Sequence, residues 1–231
     1  MATLATLDVG RAAYEPTLHV QERLRDEVKA AAEEKAYLIL VEHDPPVITL
    51  GRGASAAHVT ASRERLAAEG IEVHESSRGG DVTYHGPGHL VGYPIMRLDL
   101  HGRDVRRYLR DLEEVLIRVL ARLGLEGRRA EGMTGVWVGG EKVAAIGVAI
   151  RRWVTWHGVA LNVCPNLDHF GLIVPCGIRG RGVTSLARLL GRPMTVAEAK
   201  PHLVECTVEV FGFDGARPGD RGPVDGISDV G

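Results

Sequence analysis

The chain has 231 residues, of which 45% are hydrophobic and 25% are charged. This composition is typical of a globular protein large enough to bury a core. Lys and Arg number 28 against 30 Asp and Glu, a formal net charge of −2 that gives no indication of nucleic-acid binding. No basic segment precedes an apolar one at the N-terminus, and the longest apolar run spans only residues 36–41. We therefore expect neither a signal peptide nor a membrane-spanning segment.

The three cysteines, at positions 164, 176 and 206, are widely spaced and form no C-x-x-C pair. This pattern argues against a structural zinc site or a redox dithiol. We expect no metal and no cofactor. Unpaired cysteines are typical of a reducing compartment, so the sequence predicts a cytoplasmic protein.

The first half of the chain alternates short strands with two helices. Apolar periodicity and glycine or proline breaks predict a loose edge strand over 2–8, a helix over 18–35, strands over 37–41 and 47–50, a helix over 60–69, and strands over 71–74 and 90–96. Residues 78–88 form a glycine-rich stretch between the last two strands.

The second half begins with the clearest helix, over 104–123, and continues with a hairpin. The pattern predicts a helix over 104–123, hairpin strands around Gly139–Gly140, a strand over 153–163 and a capped helix over 195–210. We expect one α+β domain over residues 1–214, with a mixed, largely antiparallel sheet and flanking helices. The Gly-, Pro- and Asp-rich segment 215–231 is predicted to be a disordered tail.

The glycine-rich stretch RGGDVTYHGPG at 78–88 is the first candidate site. Glycines allow a backbone to approach a ligand closely, and Arg78, Tyr84 and His85 add a cation, a hydroxyl and a titratable ring. A tightly packed turn explains the same composition. The stretch is not a P-loop, because no G-K-[ST] closes it.

Lys142 follows the hairpin turn and begins an otherwise uncharged strand that ends at Ile150. Burial at the head of an apolar strand face is able to tune a lysine. The simpler interpretation is a solvated lysine at the end of a hairpin.

The segment HGVALN at 157–162 places small residues, Gly158 and Ala160, at alternate positions of a strand. Such spacing leaves room on one sheet face for a slim apolar ligand. His157 has two interpretations, an accessory catalytic group or an ordinary strand histidine.

Cys176 lies in the segment IVPCGI at 173–178. Pro175 fixes its own φ and Gly177 relaxes the following turn, which favours a thiol displayed on a bend. Most cysteines are inert core residues, and Cys164 and Cys206 are assigned to that class.

In this order, the segments at 78–88, 135–147, 157–162 and 170–178, with VTSL at 183–186, resemble the lipoate-pathway octanoyltransferases. The likeness covers roughly residues 14–210. It implies a fold like the catalytic domain of biotin and lipoate protein ligases. It also implies transfer of octanoyl from acyl carrier protein to a specific lysine of lipoyl domains, the first step of protein lipoylation.

The resemblance assigns roles to individual residues. Cys176 matches the cysteine that carries the acyl thioester, and Lys142 matches the lysine that lowers its pKa. The matching substrate-binding residues are Arg78, Gly79, Gly80, Asp81, Val82, Thr83, Tyr84, His85, Ala145, Ile146, Gly147, Gly158, Val159 and Ala160. One departure is His89, where the family pattern leads us to expect glutamine; a histidine still offers a hydrogen bond there.

The resemblance implies an octanoyl-acyl carrier protein donor and two kinds of acceptor, lipoyl domains of 2-oxoacid dehydrogenase E2 subunits and the glycine cleavage H protein. We expect neither nucleic acid nor a membrane as partner. Because both protein partners are usually acidic in this family, Arg151, Arg152, Arg179 and Arg181 are predicted to steer the donor. The proton of the acceptor lysine is assigned first to neutral Lys142 and second to His85 or His157.

Three rival functions remain. An ATP-dependent lipoate or biotin-type ligase on the same fold needs no cysteine nucleophile. A cysteine hydrolase using Cys176 and His157 releases free acid, and a carrier-binding module with a dead site forms a complex without acyl transfer.

Overall fold

A computed structural model describes residues 2–174 and 182–220 of the chain. The helices are α1 (Tyr14–Ala30), α2 (Arg63–Ala68), α3 (Val105–Arg122), α4 (Leu186–Leu190) and α5 (Val196–Phe211). The strands are β1 (Leu4–Ala12), β2 (Ala36–His43), β3 (Val47–Leu50), β4 (Glu72–Glu75), β5 (Val82–His85), β6 (His89–Ile95), β7 (Arg128–Ala130), β8 (Met133–Val138), β9 (Glu141–Arg151), β10 (Val154–Asn162) and β11 (Ala216–Pro218). In this part of the chain no helix combines the length and apolarity that crossing a bilayer requires.

These strands form two sheets. The larger has the order β11-β1-β2-β6-β10-β9-β8-β7, and the smaller has the order β4-β3-β5. In the larger sheet β1 runs parallel to both neighbours, and the pairs from β2 to β7 are antiparallel. The mixed, largely antiparallel sheet with flanking helices is therefore confirmed.

Helices cover both faces of the larger sheet. In β2, Leu38 and Leu40 join the core formed with α3 and α5, whereas Ile39 and Val41 join the core formed with α1. Successive side chains of a strand point to opposite faces, so α1 lies on one side and α3 and α5 on the other. A third, smaller core packs α2 against the smaller sheet and includes Ile48 of β3.

Local side-chain hydrogen bonds cap the N-termini of α3 and α5. The Asp104 carboxylate accepts hydrogen bonds from the backbone N–H groups of Arg106 and Arg107 and so caps α3. In α5, Thr195 and Glu198 form a reciprocal capping box. The capping box of α5 was predicted from the sequence, whereas the Asp104 cap was not. The observed α3 lies within the predicted range 104–123.

The N- and C-terminal strands differ from expectation. The strand predicted at the sheet edge is β1, but β11 pairs with its outer side. The backbone N–H of Leu4 donates to Gly215 O at 2.9 Å and that of Gly219 to Thr6 O at 2.8 Å. Residues 216–218 thus pair with the backbone N–H and C=O groups on the outer edge of β1, which would otherwise be unpaired. The rest of the predicted tail, 221–231, lies outside the described residues.

Candidate active site

A cavity of about 690 Å³ lies between the two sheets, within the size range of small-molecule sites. Its walls come from β9 and β10 of the larger sheet and from the glycine-rich loop that precedes β5. The loop is attached to the larger sheet, because the backbone N–H of Gly79 donates to Val148 O at 2.8 Å.

The structure brings nearly all of the predicted site residues that it describes to this cavity. The lining includes Arg78, Gly79, Gly80, Asp81, Val82, Thr83, His85, Lys142, Ala145, Ile146, Gly147, His157, Gly158, Val159 and Ala160. These residues come from segments up to 82 positions apart in the chain, Arg78 to Ala160.

One described residue of the predicted site does not line the cavity, and others lie outside the described residues. Tyr84 does not contribute to the described lining; its side chain is buried in the core of the smaller sheet, and its hydroxyl lies 2.7 Å from His169 Nδ1. Side chains alternate along β5, so Thr83 and His85 face the cavity and Tyr84 faces the opposite side. Cys176, with Arg179 and Arg181, lies outside the described residues.

Arg78 joins the glycine-rich loop to the smaller sheet. Its Nε and Nη2 donate to Thr49 Oγ1 at 3.1 and 2.9 Å, and Nη2 also donates to Thr49 O at 2.6 Å. The Arg78 side chain is 7% exposed. Buried guanidinium donors are thus occupied by oxygens of β3, which holds the loop against the cavity.

Lys142 lies at the start of β9 and is half-buried. Its backbone N–H donates to Gly182 O and its C=O accepts from the N–H of Thr184, both at 2.9 Å. Its Nζ lies 5.0 Å from the centroid of the Trp137 ring, a cation–π distance. The backbone of Lys142 is therefore bonded to the chain segment that follows Cys176 in the sequence.

Two histidines contribute rings to the cavity wall, and both are uncharged at neutral pH. Burial lowers the pKa of His157 to about 3, helped by the positive charges of Arg78 and Arg25. Burial and the neighbouring His43, His89 and Arg78 hold the pKa of His85 well below its usual range. A ring with such a low pKa is a weak base.

His157 has an unusual backbone. Its φ is +56°, a left-handed conformation that is rare for residues other than glycine. The backbone N–H of His157 donates to Gln21 Oε1 at 2.9 Å. The ring Nε2 of His157 lies 3.0 Å from Ser77 Oγ. The contact with α1 compensates this strain, and the irregularity directs the ring towards the cavity.

Gly158 has a role in the sheet that its spacing did not indicate. A Cβ at this position would lie 2.2 Å from Gly92 O and 2.5 Å from Pro94 Cδ. The missing side chain therefore accommodates the neighbouring strand β6, and Gly158 also lines the cavity. Gly147 is the glycine that faces the loop, since its Cβ would lie 3.0 Å from Arg78 Cδ.

His89 supports the site from behind. It is fully buried, and its Nδ1 lies 3.0 Å from Gly86 N and 3.1 Å from Gly86 O. The ring thus braces the turn between β5 and β6. Its Nδ1 accepts a hydrogen bond from the Gly86 N–H, whereas the sequence led us to expect a donated one.

Sequence reasoning missed a second set of lining residues. They are Tyr14, Thr49, Arg52, Val91, Tyr93, Val105, Leu109, Gly132, Met133, Thr134, Val148, Phe170 and Val183. Most come from ordinary strand or helix positions that give no local signal. Arg52 is the exception, because it lies between two glycines that give a local signal. The missing side chain of Gly51 lets Gly80 O of the glycine-rich loop lie within 2.4 Å of the position that a Cβ would take.

None of the described residues form a cluster of three or more His, Cys, Asp and Glu side chains suited to a metal ion. The described lining instead combines the Lys142 amine, an apolar wall from β9 and β10, and the charged side chains of Arg52, Arg78 and Asp81 at the loop side. An apolar wall beside an amine suits acyl binding and transfer near Lys142.

Comparisons with known proteins agree with this geometry. The family described as the lipoyl protein ligase A/B catalytic domain matches residues 13–207. An octanoyltransferase of Chloroflexus aurantiacus is 50% identical over 93% of this chain and 96% of its own length. One from Myxococcus xanthus is 48% identical over 91% of this chain, which spans 60% of that relative's length.

A solved structure of a bipartite lipoate protein ligase from Thermoplasma acidophilum has the same fold. It superposes with a TM-score of 0.78 over 95% of this chain and 87% of its own, at 18% identity. The predicted ligase-like fold is confirmed by this likeness. The family match and the near-half identity to full-length relatives show that the chain belongs to the octanoyltransferases, acyltransferases of the lipoyl protein ligase A/B catalytic domain family.

Proposed function

We propose that the chain transfers an octanoyl group from octanoyl-acyl carrier protein, through a thioester on Cys176, to a specific lysine of lipoyl domains. The acceptors are lipoyl domains of 2-oxoacid dehydrogenase E2 subunits and the glycine cleavage H protein. The similarity to octanoyltransferases of Myxococcus xanthus and Chloroflexus aurantiacus supports the transfer of an octanoyl group. The proposal includes a cytoplasmic location, in keeping with the widely spaced cysteines.

One observation carries the catalytic assignment. The residues just after the Cys176 segment, Gly182 and Thr184, exchange backbone hydrogen bonds with Lys142, and Val183 lines the cavity. On the other side, the N–H of Val174 donates to His58 O at 2.7 Å. The segment that contains Cys176 thus leads directly into residues that bond to Lys142 and line the cavity, which supports our assignment of Cys176 and Lys142 to one site.

The chemistry follows from the thiol. A free cysteine is only a few per cent ionised at neutral pH, and a nearby ammonium favours the thiolate. The Cys176 thiolate attacks the carbonyl of the carrier thioester, a new C–S bond forms, and the carrier thiol leaves with a proton. The acceptor amine then attacks the acyl-enzyme, an amide forms, and the Cys176 thiolate is released.

The acceptor amine must lose a proton in the second step. Lys142, when neutral, is the group that we propose for this role, because amine-to-amine transfer is nearly balanced in pKa. His85 and His157 were the second choice. Their low pKa values make them poor proton acceptors, and we assign them to holding the bound acyl group.

Intact-protein mass spectrometry after mixing the full chain with octanoyl-acyl carrier protein, without ATP or Mg²⁺, tests the proposal. We expect one octanoyl group on the wild type and none on Cys176→Ser. Cys164→Ser is the matched control, because Cys164 is exposed, contrary to the core assignment made from the sequence. Partial burial and the Glu42 carboxylate raise the pKa of its thiol, which keeps it protonated. This control should acylate normally. Acylation of Cys176→Ser, or transfer that requires ATP and free octanoate, would reject the thioester route.

A further inference from the structure

A buried acid lies behind the Lys142 region. Glu113 in α3 is 1% exposed, and its Oε2 accepts hydrogen bonds from Arg110 Nη1 at 2.6 Å and Arg129 Nε at 3.1 Å. Its Oε1 accepts from the backbone N–H of Gly135 at 3.2 Å. A buried carboxylate is unfavourable unless it is paired. Both oxygens of Glu113 are paired, one with two arginines and the other with a backbone N–H.

Gly135 in turn lies directly against Lys142. Its φ is +134°, and a Cβ on it would be 2.7 Å from Lys142 Cε and 3.4 Å from Lys142 Nζ. The lysine side chain thus crosses the bare Cα of Gly135, with the Trp137 ring 5.0 Å from its ammonium. A shift of the Gly135 backbone therefore moves the surface on which the Lys142 amine rests.

We infer that Glu113 is a positioning residue for Lys142, acting through the N–H of Gly135. The inference rests on the proposed function, because it assumes that the Lys142 amine tunes Cys176. Glu113 does not contribute to the described lining of the cavity, so it has no direct contact with substrate there. Its role is to fix strand β8 where Gly135 of β8 supports the Lys142 side chain, which extends from β9.

A carboxylate fits this position better than an amide of the same size. Its two oxygens accept from arginines on one side and from a backbone N–H on the other. Glutamine has one oxygen and one NH₂ group. Its NH₂ donor would therefore face either the arginine donors or the N–H donor of Gly135. Glu113→Gln therefore loosens either the arginine side or the Gly135 side without changing the volume.

The test measures the pH dependence of Cys176 alkylation by iodoacetamide in the full chain, read at the Cys176 peptide by mass spectrometry, beside the kinetics of octanoyl transfer. For Glu113→Gln we expect the alkylation midpoint to rise by about one pH unit, with about tenfold slower alkylation at pH 7. The kcat should fall by a similar factor, while the donor KM stays within about twofold.

Glu114→Gln is the matched control. Glu114 Oε2 accepts from the same Arg129 at 2.9 Å, but Glu114 is more exposed and is not bonded to Gly135. This variant should keep the wild-type midpoint. Glu113→Asp is a second probe, which keeps the charge but shortens the reach to Gly135, and we expect a shift in the same direction.

The outcomes separate this inference from the proposed function. If folded Glu113→Gln and Glu113→Asp lower only the melting temperature and keep the wild-type midpoint, Glu113 is merely structural and the inference is wrong. If Lys142→Met also leaves the midpoint unchanged, the proposed Lys142–Cys176 pair itself fails. A shift with Lys142→Met but not with either Glu113 variant rejects the positioning role alone.

Discussion

Buried histidines surround the inner end of the cavity. The His43 ring centroid lies 6.0 Å from that of His85, which lies 6.1 Å from that of His89. Burial lowers the pKa of both His43 and His89 to about 4. These rings therefore stay uncharged at neutral pH, and their hydrogen bonds are those of neutral imidazole.

Stability should fall in mild acid. A histidine with a depressed folded-state pKa binds a proton more readily after unfolding, where its pKa is about 6.5. The stability from His43, His89 and His157 is thus complete above that pH and is lost as pH falls towards their folded values. We expect a loss of about 2 kcal/mol per histidine between pH 7 and pH 5, measured by urea unfolding.

His89→Gln provides the control for this pH dependence. Glutamine keeps a hydrogen-bonding side chain at the β5–β6 turn but does not titrate, so the slope between pH 7 and pH 5 should be shallower than in the wild type. A wild-type free energy of unfolding that is constant over this range would contradict the expectation.

Gly158→Ala should disrupt the sheet. The added methyl meets backbone at Gly92 O, which cannot move without separating β6 from β10. We expect a loss of about 3 kcal/mol in the free energy of unfolding, measured by denaturant titration. Gly171→Ala is the control, because nothing lies within 4 Å of its Cβ position. A stable Gly158→Ala variant that binds acyl groups poorly would instead favour the ligand-space interpretation.

At the scale of elements, the cavity depends on how the glycine-rich loop joins the two sheets. The N–H of Gly53 donates to Gly80 O at 3.0 Å and that of Arg52 to Arg78 O at 2.9 Å, while Gly79 bonds to β9. The loop is thus bonded to the segment after β3 on one side and to the larger sheet on the other. The Arg78 guanidinium adds hydrogen bonds from the loop to Thr49 of β3.

Arg78→Lys should weaken that junction. A lysine ammonium cannot reproduce the guanidinium fork that reaches both Thr49 oxygens. We expect a loss of about 1–3 kcal/mol in stability and a higher donor KM, measured by thermal unfolding and steady-state transfer. Arg128→Lys, at an exposed position of β7, should change neither quantity. Wild-type stability and KM in Arg78→Lys would show that the fork is dispensable.

At the scale of the molecule, charge is unevenly distributed despite the small net charge. Arg25, Lys29, Arg151 and Arg152 line a shallow surface pocket of about 300 Å³ together with Asp26. The β9–β10 turn that presents Arg152 has a positive φ of +52° at this residue. A cationic surface of this kind is suited to attracting an acidic protein.

Arg151→Ser/Arg152→Ser should therefore raise the donor KM and flatten its dependence on salt. Exposed charges act mainly on association, so kcat should change by less than about twofold. Steady-state transfer from octanoyl-acyl carrier protein at low and high ionic strength is the measurement. Arg63→Ser/Arg65→Ser in α2 removes the same charge elsewhere and is the control. Unchanged KM and salt dependence in the Arg151/Arg152 variant would end the steering proposal.

Domain boundaries also belong to this scale. We propose that residues 1–214 form one catalytic domain and that β11 extends it by pairing with β1. The sequence alone suggested a boundary at residue 214 because glycine, proline and aspartate dominate beyond it. Composition does not show that a nearby strand has an unpaired edge, and the pairing partner lies at the other end of the chain.

The sequence by itself determined the elements with strong local signals and the family. The apolar stripe of α3, the capping box of α5, the Gly139–Gly140 hairpin and the ordered motifs are patterns of neighbouring residues, so each can be recognised along the chain. Only the tertiary structure decided that Tyr84 turns away from the cavity, that Gly158 makes room for β6 and that Glu113 reaches Gly135. Those facts depend on which strands and helices become neighbours, and contacts between distant segments leave no mark in local sequence.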